Sequence, residues 1–127
     1  MDTEPTIESV LLGTTITEYD LAPDGAFITF HRQNLPSITL DAVGECCSRT
    51  WIEDIDAPNA LIGTVLAVEH IKSPNISTRP GPRYDEYIQY YGLKITTKKG
   101  RCVIDYRNAS NGYYGGELVL RVDNKRL

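Results

Sequence analysis

Short stretches of alternating polar and apolar residues, separated by turn signals, run through most of this chain. Residues 14–21 alternate first, residues 26–30 follow a Pro-Asp-Gly turn at 23–25, and residues 37–43 alternate again. Alternation with a period of two places successive side chains on opposite faces of an extended chain, and proline, aspartate and glycine favour turns. The first third of the sequence therefore predicts a meander of short strands.

The last third of the chain carries a second series of strand signals. Residues 87–97 and 101–107 flank a Lys-Lys-Gly turn, and residues 116–123 alternate apolar and polar side chains. Asn111-Gly112 is a strong hairpin signal, because both residue types adopt positive φ readily. These segments predict a second meander that residues 116–123 close.

Mixed signals occupy the segment between the two meanders. Residues 50–53 fit either a helix capping box or a strand. Residues 58–62 predict a short helix that ends at Gly63, and residues 64–71 predict a strand buried on both faces because they are rich in Val, Leu and Ala.

The length of 127 residues fits one domain, residues 1–127. Residues 1–10 are expected to be flexible. Residues 73–85 are expected to form a long proline-rich surface loop, because proline cannot donate to a sheet ladder. The predicted fold is mainly β, with α+β as the alternative: about seven strands in two meanders that form a sandwich or a partly open barrel, with one short helix.

The sequence also indicates where the protein works. No apolar run reaches the roughly 18 residues of a membrane-spanning helix. The N-terminus lacks the basic start and apolar stretch of a secretory signal, and the odd count of three cysteines argues against a disulfide framework. We therefore expect a soluble, intracellular domain that contacts no membrane.

Charge is distributed unevenly along the chain, although the net charge is only −4. Residues 1–60 contain 2 basic and 11 acidic residues, whereas residues 61–127 contain 11 basic and 6 acidic residues. The basic second half would allow nucleic acid to bind if its charges shared one face. Attraction between the two halves, or scattered charges on a solvated surface, explains the same pattern and is favoured.

The cysteines are the candidate metal ligands. Cys46, Cys47 and Cys102 include no C-x-x-C pair, which structural zinc sites commonly use. The alternative is that one or two of them are small buried hydrophobic residues. Acidic neighbours raise the pKa of a thiol, so a cysteine nucleophile is not favoured. The sequence indicates no cofactor.

A catalytic alternative uses the segment 46–56 as a small metal-dependent enzyme. In an extended chain, alternation places Glu53 and Ile55 on one face and Asp54 on the other, so the carboxylates of this segment would not converge. No other arrangement of nucleophile and base stands out. We therefore expect a function in binding and not in catalysis.

Tyrosine and arginine suggest the binding surface. Most of the eight tyrosines lie in the second half of the chain, where several arginines accompany them. Both residue types are enriched at interaction hot spots. The alternative is that the tyrosine rings pack in the sheet, and alternation must divide them between its two faces. The candidate binding residues are Arg79, Arg83, Tyr84, Tyr87, Tyr113 and Tyr114.

Three motifs together carry a resemblance to a known family. They are G-E-C-C-S at 44–48 followed by W-I-E-D-I at 51–55, L-I-G at 61–63, and S-N-G-Y-Y at 110–114. With these motifs the chain resembles an uncharacterised family of small bacteriophage and prophage proteins, a domain of unknown function. Residues 73–83 and Trp51 depart from that pattern.

The resemblance implies a phage or prophage origin and a location in the host cytoplasm, and it implies no reaction. We expect an accessory protein that binds a host or phage protein, for example to inhibit a host defence or a host enzyme. A minor virion or assembly protein, in which the domain forms a homo-oligomer, is an alternative.

Overall fold

The computed structural model describes residues 5–45, 48–80, 85–110 and 115–121, apart from the side chains of residues 73–80 and 85–86. This part of the chain contains one α-helix, one short 3-10 helix and eight strands that form one antiparallel sheet. In chain order the elements are α1 (Ile7–Leu11), β1 (Thr15–Leu21), β2 (Phe27–Arg32), β3 (Leu35–Gly44), β4 (Arg49–Asp56), the 3-10 helix (Pro58–Leu61), β5 (Gly63–Pro80), β6 (Asp85–Thr97), β7 (Gly100–Ser110) and β8 (Gly116–Arg121).

The sheet consists of two four-stranded halves, because its strand order is β4-β7-β6-β5-β1-β2-β3-β8. The junction between the halves is short. In the described chain, β1 and β5 pair at Thr15–Thr64 and Ile16–Gly63. Val65 also donates a backbone hydrogen bond of 2.8 Å to the carbonyl of the residue that precedes β1. So short a junction allows the sheet to curl and bring its two halves face to face.

The curled sheet is held together at the free edge of β4. The Ile52 amide donates a hydrogen bond of 2.8 Å to the carbonyl of Gly25, which lies in the turn between β1 and β2. On the same edge, Gly116 of β8 lies so close to Thr50 that a Cβ atom at position 116 would clash with the threonine hydroxyl. Among the described residues, no ladder of hydrogen bonds joins β4 to β8. The predicted mainly β fold is confirmed, and it takes the form of a partly open barrel.

The core lies between the inner faces of the two halves. Burying one large aliphatic or aromatic side chain contributes about 1.5–3 kcal/mol, so this apolar interior is the main source of stability. Residues 0% exposed include Ile16, Ile28, Phe30, Leu40, Leu61, Leu93, Ile95 and Ile104.

The segment 1–10, for which the sequence predicts flexibility, contains the start of α1 at Ile7, and residues 1–4 lie outside the described chain. Thr6 and Ser9 form a reciprocal capping box, which satisfies backbone groups at the start of α1. Ile7 and Leu11 lie four residues apart on one helix face and are both buried in the core. This pair anchors α1 on the core because its burial removes apolar surface from water.

The expected loop at residues 73–85 begins with a strand, since β5 continues to Pro80 and β6 begins at Asp85. The four residues between them lie outside the described chain. The register between β5 and β6 shifts between Lys72 and Ile76, and Pro74 lies in that irregularity. Proline is tolerated at bulges and at strand ends because no ladder bond needs its missing N–H group there.

Each half of the sheet includes one strand whose neighbours in the sequence belong to the other half. The segment expected to close the second meander, β8, pairs with β3 of the first half, whereas β4 pairs with β7 of the second. Alternation identifies an extended segment but does not identify its neighbour. The hairpin signal at Asn111-Gly112 lies outside the described residues.

Helical structure is limited in the described chain. The short helix predicted over residues 58–62 is a 3-10 helix over Pro58–Leu61. Neither this helix nor α1 has the length that a helix needs to cross a membrane.

We expect Gly25→Ala to destabilise the protein more than Gly13→Ala. Both glycines have positive φ, 76° and 80°, where a Cβ atom costs about 1–2 kcal/mol. A Cβ atom at position 25 would clash with the carbonyl of Ile52, whereas nothing lies within 4 Å of one at position 13. Urea unfolding should show that Gly25→Ala lowers the free energy of unfolding by about 2 kcal/mol more than Gly13→Ala, its control. Equal losses would contradict a closing role for the Gly25–Ile52 contact.

Candidate functional site

A β-bulge controls which side chains of β4 face outward. The pairing with β7 shifts from Ile52–Tyr106 to Asp54–Asp105, so Glu53 has no partner of its own. As a result Ile52 and Ile55 are both buried while Glu53 and Asp54 are both exposed. The expectation that Glu53 and Ile55 share a face is therefore wrong, because an extra residue in one strand breaks the alternation.

Aromatic and arginine side chains meet on the outer face of β4, β7 and β6. The Arg107 guanidinium lies 4.9 Å from the ring centroid of Tyr90, its cross-strand neighbour on β6. Trp51, the neighbour of Arg107 on β4, donates from Nε1 to Glu53 Oε1 at 2.7 Å. Arg49 lies over the Trp51 ring at 5.1 Å. This surface is rich in the residue types that dominate binding hot spots.

Arg107 is held in place by its neighbours. Nη2 donates to Asp105 Oδ2 at 3.2 Å, and Nη1 lies 4.0 Å from Glu53 Oε1. The hydrogen bond with Asp105 raises the pKa of Arg107, so the Arg107 guanidinium stays positively charged. Its Nε atom is buried and has no hydrogen-bond partner among the described residues. The contacts with Asp105, Glu53 and the Tyr90 ring make the guanidinium part of this surface.

A groove of about 390 Å³ lies beside these side chains. We call it the outer groove. Gly92 forms part of its floor, and a Cβ atom there would lie 3.3 Å from Val103 Cγ1 and 3.5 Å from Ile71 Cβ. The missing side chain therefore creates the depression. The groove is lined by Asp54, Asp56, Ile71, Tyr90, Tyr91, Gly92, Val103 and Asp105.

Carboxylates form one wall of the outer groove. Asp54 and Asp105 are direct cross-strand neighbours, and Asp56 lies two residues further along β4. Asp105 binds Arg107, whereas Asp54 and Asp56 are exposed and have no ion-pair partner in the described chain. Like charges on neighbouring strands repel each other, so this wall would be stabilised by a cation.

A second depression lies between the two halves of the sheet. We call it the end cleft. The Glu45 amide donates to the Gly115 carbonyl at 3.1 Å, and the Gly115 amide donates to Glu45 Oε1 at 2.9 Å. This contact joins the ends of two segments that carry the family resemblance. The end cleft has a volume of about 490 Å³ and is lined by Val43, Gly44, Glu45, Lys72, Tyr91, Gly115, Gly116 and Glu117.

Polar side chains extend from the end cleft into the interior. The Tyr91 hydroxyl donates to Gln89 Oε1 at 3.2 Å, and Asn108 donates to the same oxygen at 3.4 Å. Thr50 in turn donates to Asn108 Oδ1 at 2.8 Å. The rim carries both Lys72 and glutamates, so the charge of the end cleft is mixed and favours no single class of ligand.

The predicted binding residues are only partly described. Tyr87 lies on β6 with 37% of its surface exposed. The backbone of Arg79 pairs with Glu86, but the structure does not describe its side chain. Arg83, Tyr84, Tyr113 and Tyr114 lie outside the described residues.

Alternation divides the other tyrosines between the two faces of the sheet. Tyr91 and Tyr106 stack inside, with ring centroids 5.1 Å apart and an angle of 13° between planes. Tyr90 lies outside, next to Arg107. The sequence does not reveal Tyr90, Trp51 and Arg107 as a group, because only the register of β4, β7 and β6 brings them together.

Of the candidate metal ligands, only Cys102 is described, and it is a free thiol with 0% exposure. Burial, with a smaller effect from the charge of Asp56, raises its pKa to about 11. Cys102 pairs with Ile95 on β6 and fills the core as a small apolar side chain. Cys46 and Cys47 lie outside the described residues.

Comparison with known families identifies a family model that matches this chain. The model of a domain of unknown function, DUF7448, matches residues 6–120 and so covers most of the chain. No curated protein and no solved structure matches the sequence.

We expect the fold to lose stability as the pH rises above 9. The folded-state pKa of Cys102 is about 11, and burial raises that of Tyr106 to about 12, from ordinary values of 9.0 and 10.0. The unfolded chain therefore releases these protons at lower pH than the folded chain, which favours unfolding. The Cys102 contribution amounts to about 1 kcal/mol at pH 10.

Urea unfolding between pH 8 and 10 measures this loss. Cys102→Ala leaves a cavity and lowers stability at every pH, but it should remove the part of the pH dependence that belongs to the thiol. An unchanged slope in this variant would contradict the assignment.

Proposed function

We propose that this chain, which belongs to the DUF7448 family of unknown function, acts by binding a partner protein. The outer groove is the proposed docking site. Its occupant is a segment of the partner that carries a lysine or arginine side chain. The observation that carries the proposal is an apolar floor beside two carboxylates without an ion-pair partner in the described chain.

Lysine and arginine side chains fit both the apolar floor and the acidic wall of the outer groove. Their aliphatic stems pack on apolar surface while the cationic head stays near water or a carboxylate. Ile71 and Val103 offer contact to the stem, and Tyr90 offers a ring face. Asp54 and Asp56 offer acceptors to the head. A hydrogen bond between charged groups contributes about 1.5–3 kcal/mol, so a few such contacts suffice for specific binding.

Charge favours a protein partner over a nucleic acid at this site. Phosphate groups would meet the carboxylates of the outer groove. Basic side chains nearby already contact acids, since Lys94 lies 2.8 Å from Glu69 and Arg107 binds Asp105. Across the two halves of the sequence, Arg121 lies 2.6 Å from Asp41 and Arg107 lies 4.0 Å from Glu53, which supports the interpretation that the acidic and basic halves attract each other.

We further propose the biological setting. The resemblance to phage and prophage proteins suggests an accessory protein that acts in the host cytoplasm. Its partner would be a host or phage protein, and inhibition of a host defence or a host enzyme would follow from covering a basic surface. Assembly into a virion is the alternative, and it predicts that the partner is a second copy of this chain.

Catalysis by the segment 46–56 receives no support from the described residues. Asp54 and Asp56 face outward from β4, whereas the Cys102 thiol points into the core. These side chains lie on opposite faces of the sheet, so they cannot meet in one metal site.

A random peptide library selected on the immobilised full-length chain tests the proposal. We expect enriched peptides to contain lysine or arginine beside an apolar residue. Fluorescence anisotropy with a selected peptide should show about tenfold weaker binding to Asp54→Asn and to Asp56→Asn. Glu117→Gln removes an exposed carboxylate on the other half of the sheet and serves as the matched control, with unchanged affinity.

Two results would contradict this assignment. Enrichment of acidic peptides would contradict a cationic occupant. Equal effects of Asp54→Asn and Glu117→Gln would show that overall charge, and not the outer groove, governs binding. Sedimentation of the chain alone tests the alternative, since self-association that Asp54→Asn weakens would support a second copy as the partner.

A further inference from the structure

A histidine and two carboxylates converge on the half of the sheet that lacks the outer groove. Glu18 and Asp20 lie two residues apart on β1, and His31 is the cross-strand neighbour of Glu18 on β2. One ligand atom from each of the three side chains lies within 4.8 Å of the other two. All three side chains are on the outer face and reach solvent.

A second β-bulge produces this arrangement. The register between β1 and β2 shifts between Ile16 and Glu18. Ile16 is therefore fully buried, while Glu18 and Asp20 face outward with His31. Bulges commonly redirect side chains at functional sites.

Ser37 orients the histidine ring. Its Oγ atom lies 2.8 Å from His31 Nδ1, and Nε2 on the other side of the ring lies 2.7 Å from Asp20 Oδ2. Metal-binding histidines usually form a hydrogen bond through the nitrogen that does not bind the metal, which fixes the ring and its tautomer. A serine hydroxyl can accept that hydrogen bond from Nδ1–H, and a metal would then bind Nε2 in place of the proton that Nε2 shares with Asp20.

We propose that Glu18, Asp20 and His31 form a binding site for a divalent transition-metal ion, with Zn²⁺ as the representative. One imidazole nitrogen and two carboxylate oxygens form a donor set that such ions accept. Metal–ligand bonds of about 2.0–2.2 Å place neighbouring ligands about 3–3.5 Å apart. Asp20 Oδ2 and His31 Nε2 lie 2.7 Å apart and would separate slightly to admit the ion, while the exposed Glu18 side chain would move closer to it. Positions not taken by the protein remain open to water or to a group from a partner.

Two of these residues also belong to an arrangement that resembles a hydrolytic triad. Ser37, His31 and Asp20 are hydrogen-bonded in a row. A triad also needs donors that stabilise an oxyanion and a pocket that excludes water. β2 lies between β1 and β3, so its backbone N–H groups are used in ladder bonds on both sides. The exposed position on the sheet face therefore favours metal binding over acyl transfer.

The second histidine provides a matched control. His70 Nε2 lies 2.9 Å from Glu8 Oε2, so it also forms a histidine–carboxylate pair on the surface. No third ligand joins this pair among the described residues. A histidine–carboxylate pair alone and a complete set of three ligands can thus be compared in one protein.

Isothermal titration of the full-length chain with Zn²⁺ tests the site. A Cys46→Ser/Cys47→Ser background removes thiols that would also bind the ion. We expect one equivalent to bind with micromolar affinity, and His31→Ala to weaken binding at least about tenfold. Glu18→Gln should weaken it by a similar factor, Ser37→Ala by a few-fold, and His70→Ala should leave it unchanged. Thermal unfolding of each metal-free variant confirms that the exposed substitutions keep the fold.

NMR places the ion independently. Co²⁺ should shift or broaden the amide signals of β1 and β2 near His31, and signals near His70 should stay unchanged. No binding below about 1 mM Zn²⁺ would overturn the proposal. Equal losses for His31→Ala and His70→Ala, or paramagnetic effects centred elsewhere, would also overturn it.

Discussion

The short backbone contact between the β1–β2 turn and β4 is the constraint on which the rest of the structure depends. Each four-stranded half has one apolar face, and neither half can bury that face without the other. The junction at β1 and β5 lets the halves fold together, and the bond from Ile52 to Gly25 holds the opposite side closed. Gly25 is required there because only a residue without a Cβ atom leaves room for the approaching strand.

The approach of the two halves commits most of both inner faces to packing. Most charged side chains therefore lie on the outer faces, where cross-strand neighbours bring side chains from different strands into contact. Both proposed sites lie directly beside a β-bulge, one after Ile16 and one after Ile52. In each case one extra residue turns a carboxylate outward and sets it opposite a polar neighbour, Glu18 beside His31 and Asp54 beside Asp105.

The two sites differ in how far the sequence could have revealed them. Glu18 and His31 lie on strands joined by a short turn, so their proximity follows from the hairpin once its register is known. Asp54 and Asp105 lie on strands far apart in sequence, and their local sequence pattern does not predict that β4 pairs with β7. The tyrosines illustrate the same limit. Alternation correctly implied that they would be divided between faces, but the contact of Tyr90 with Arg107 required the register of β6 and β7.

The sequence by itself determined the mainly β architecture and the position of most strands in the described part of the chain. These features follow from local patterns, namely period-two alternation and turn residues, which act over a few neighbouring positions. Only the tertiary structure decided which strands lie side by side, where the bulges fall and which charges face each other. Those choices depend on how the two apolar faces meet across the core, and that energy is shared among residues that are distant along the chain.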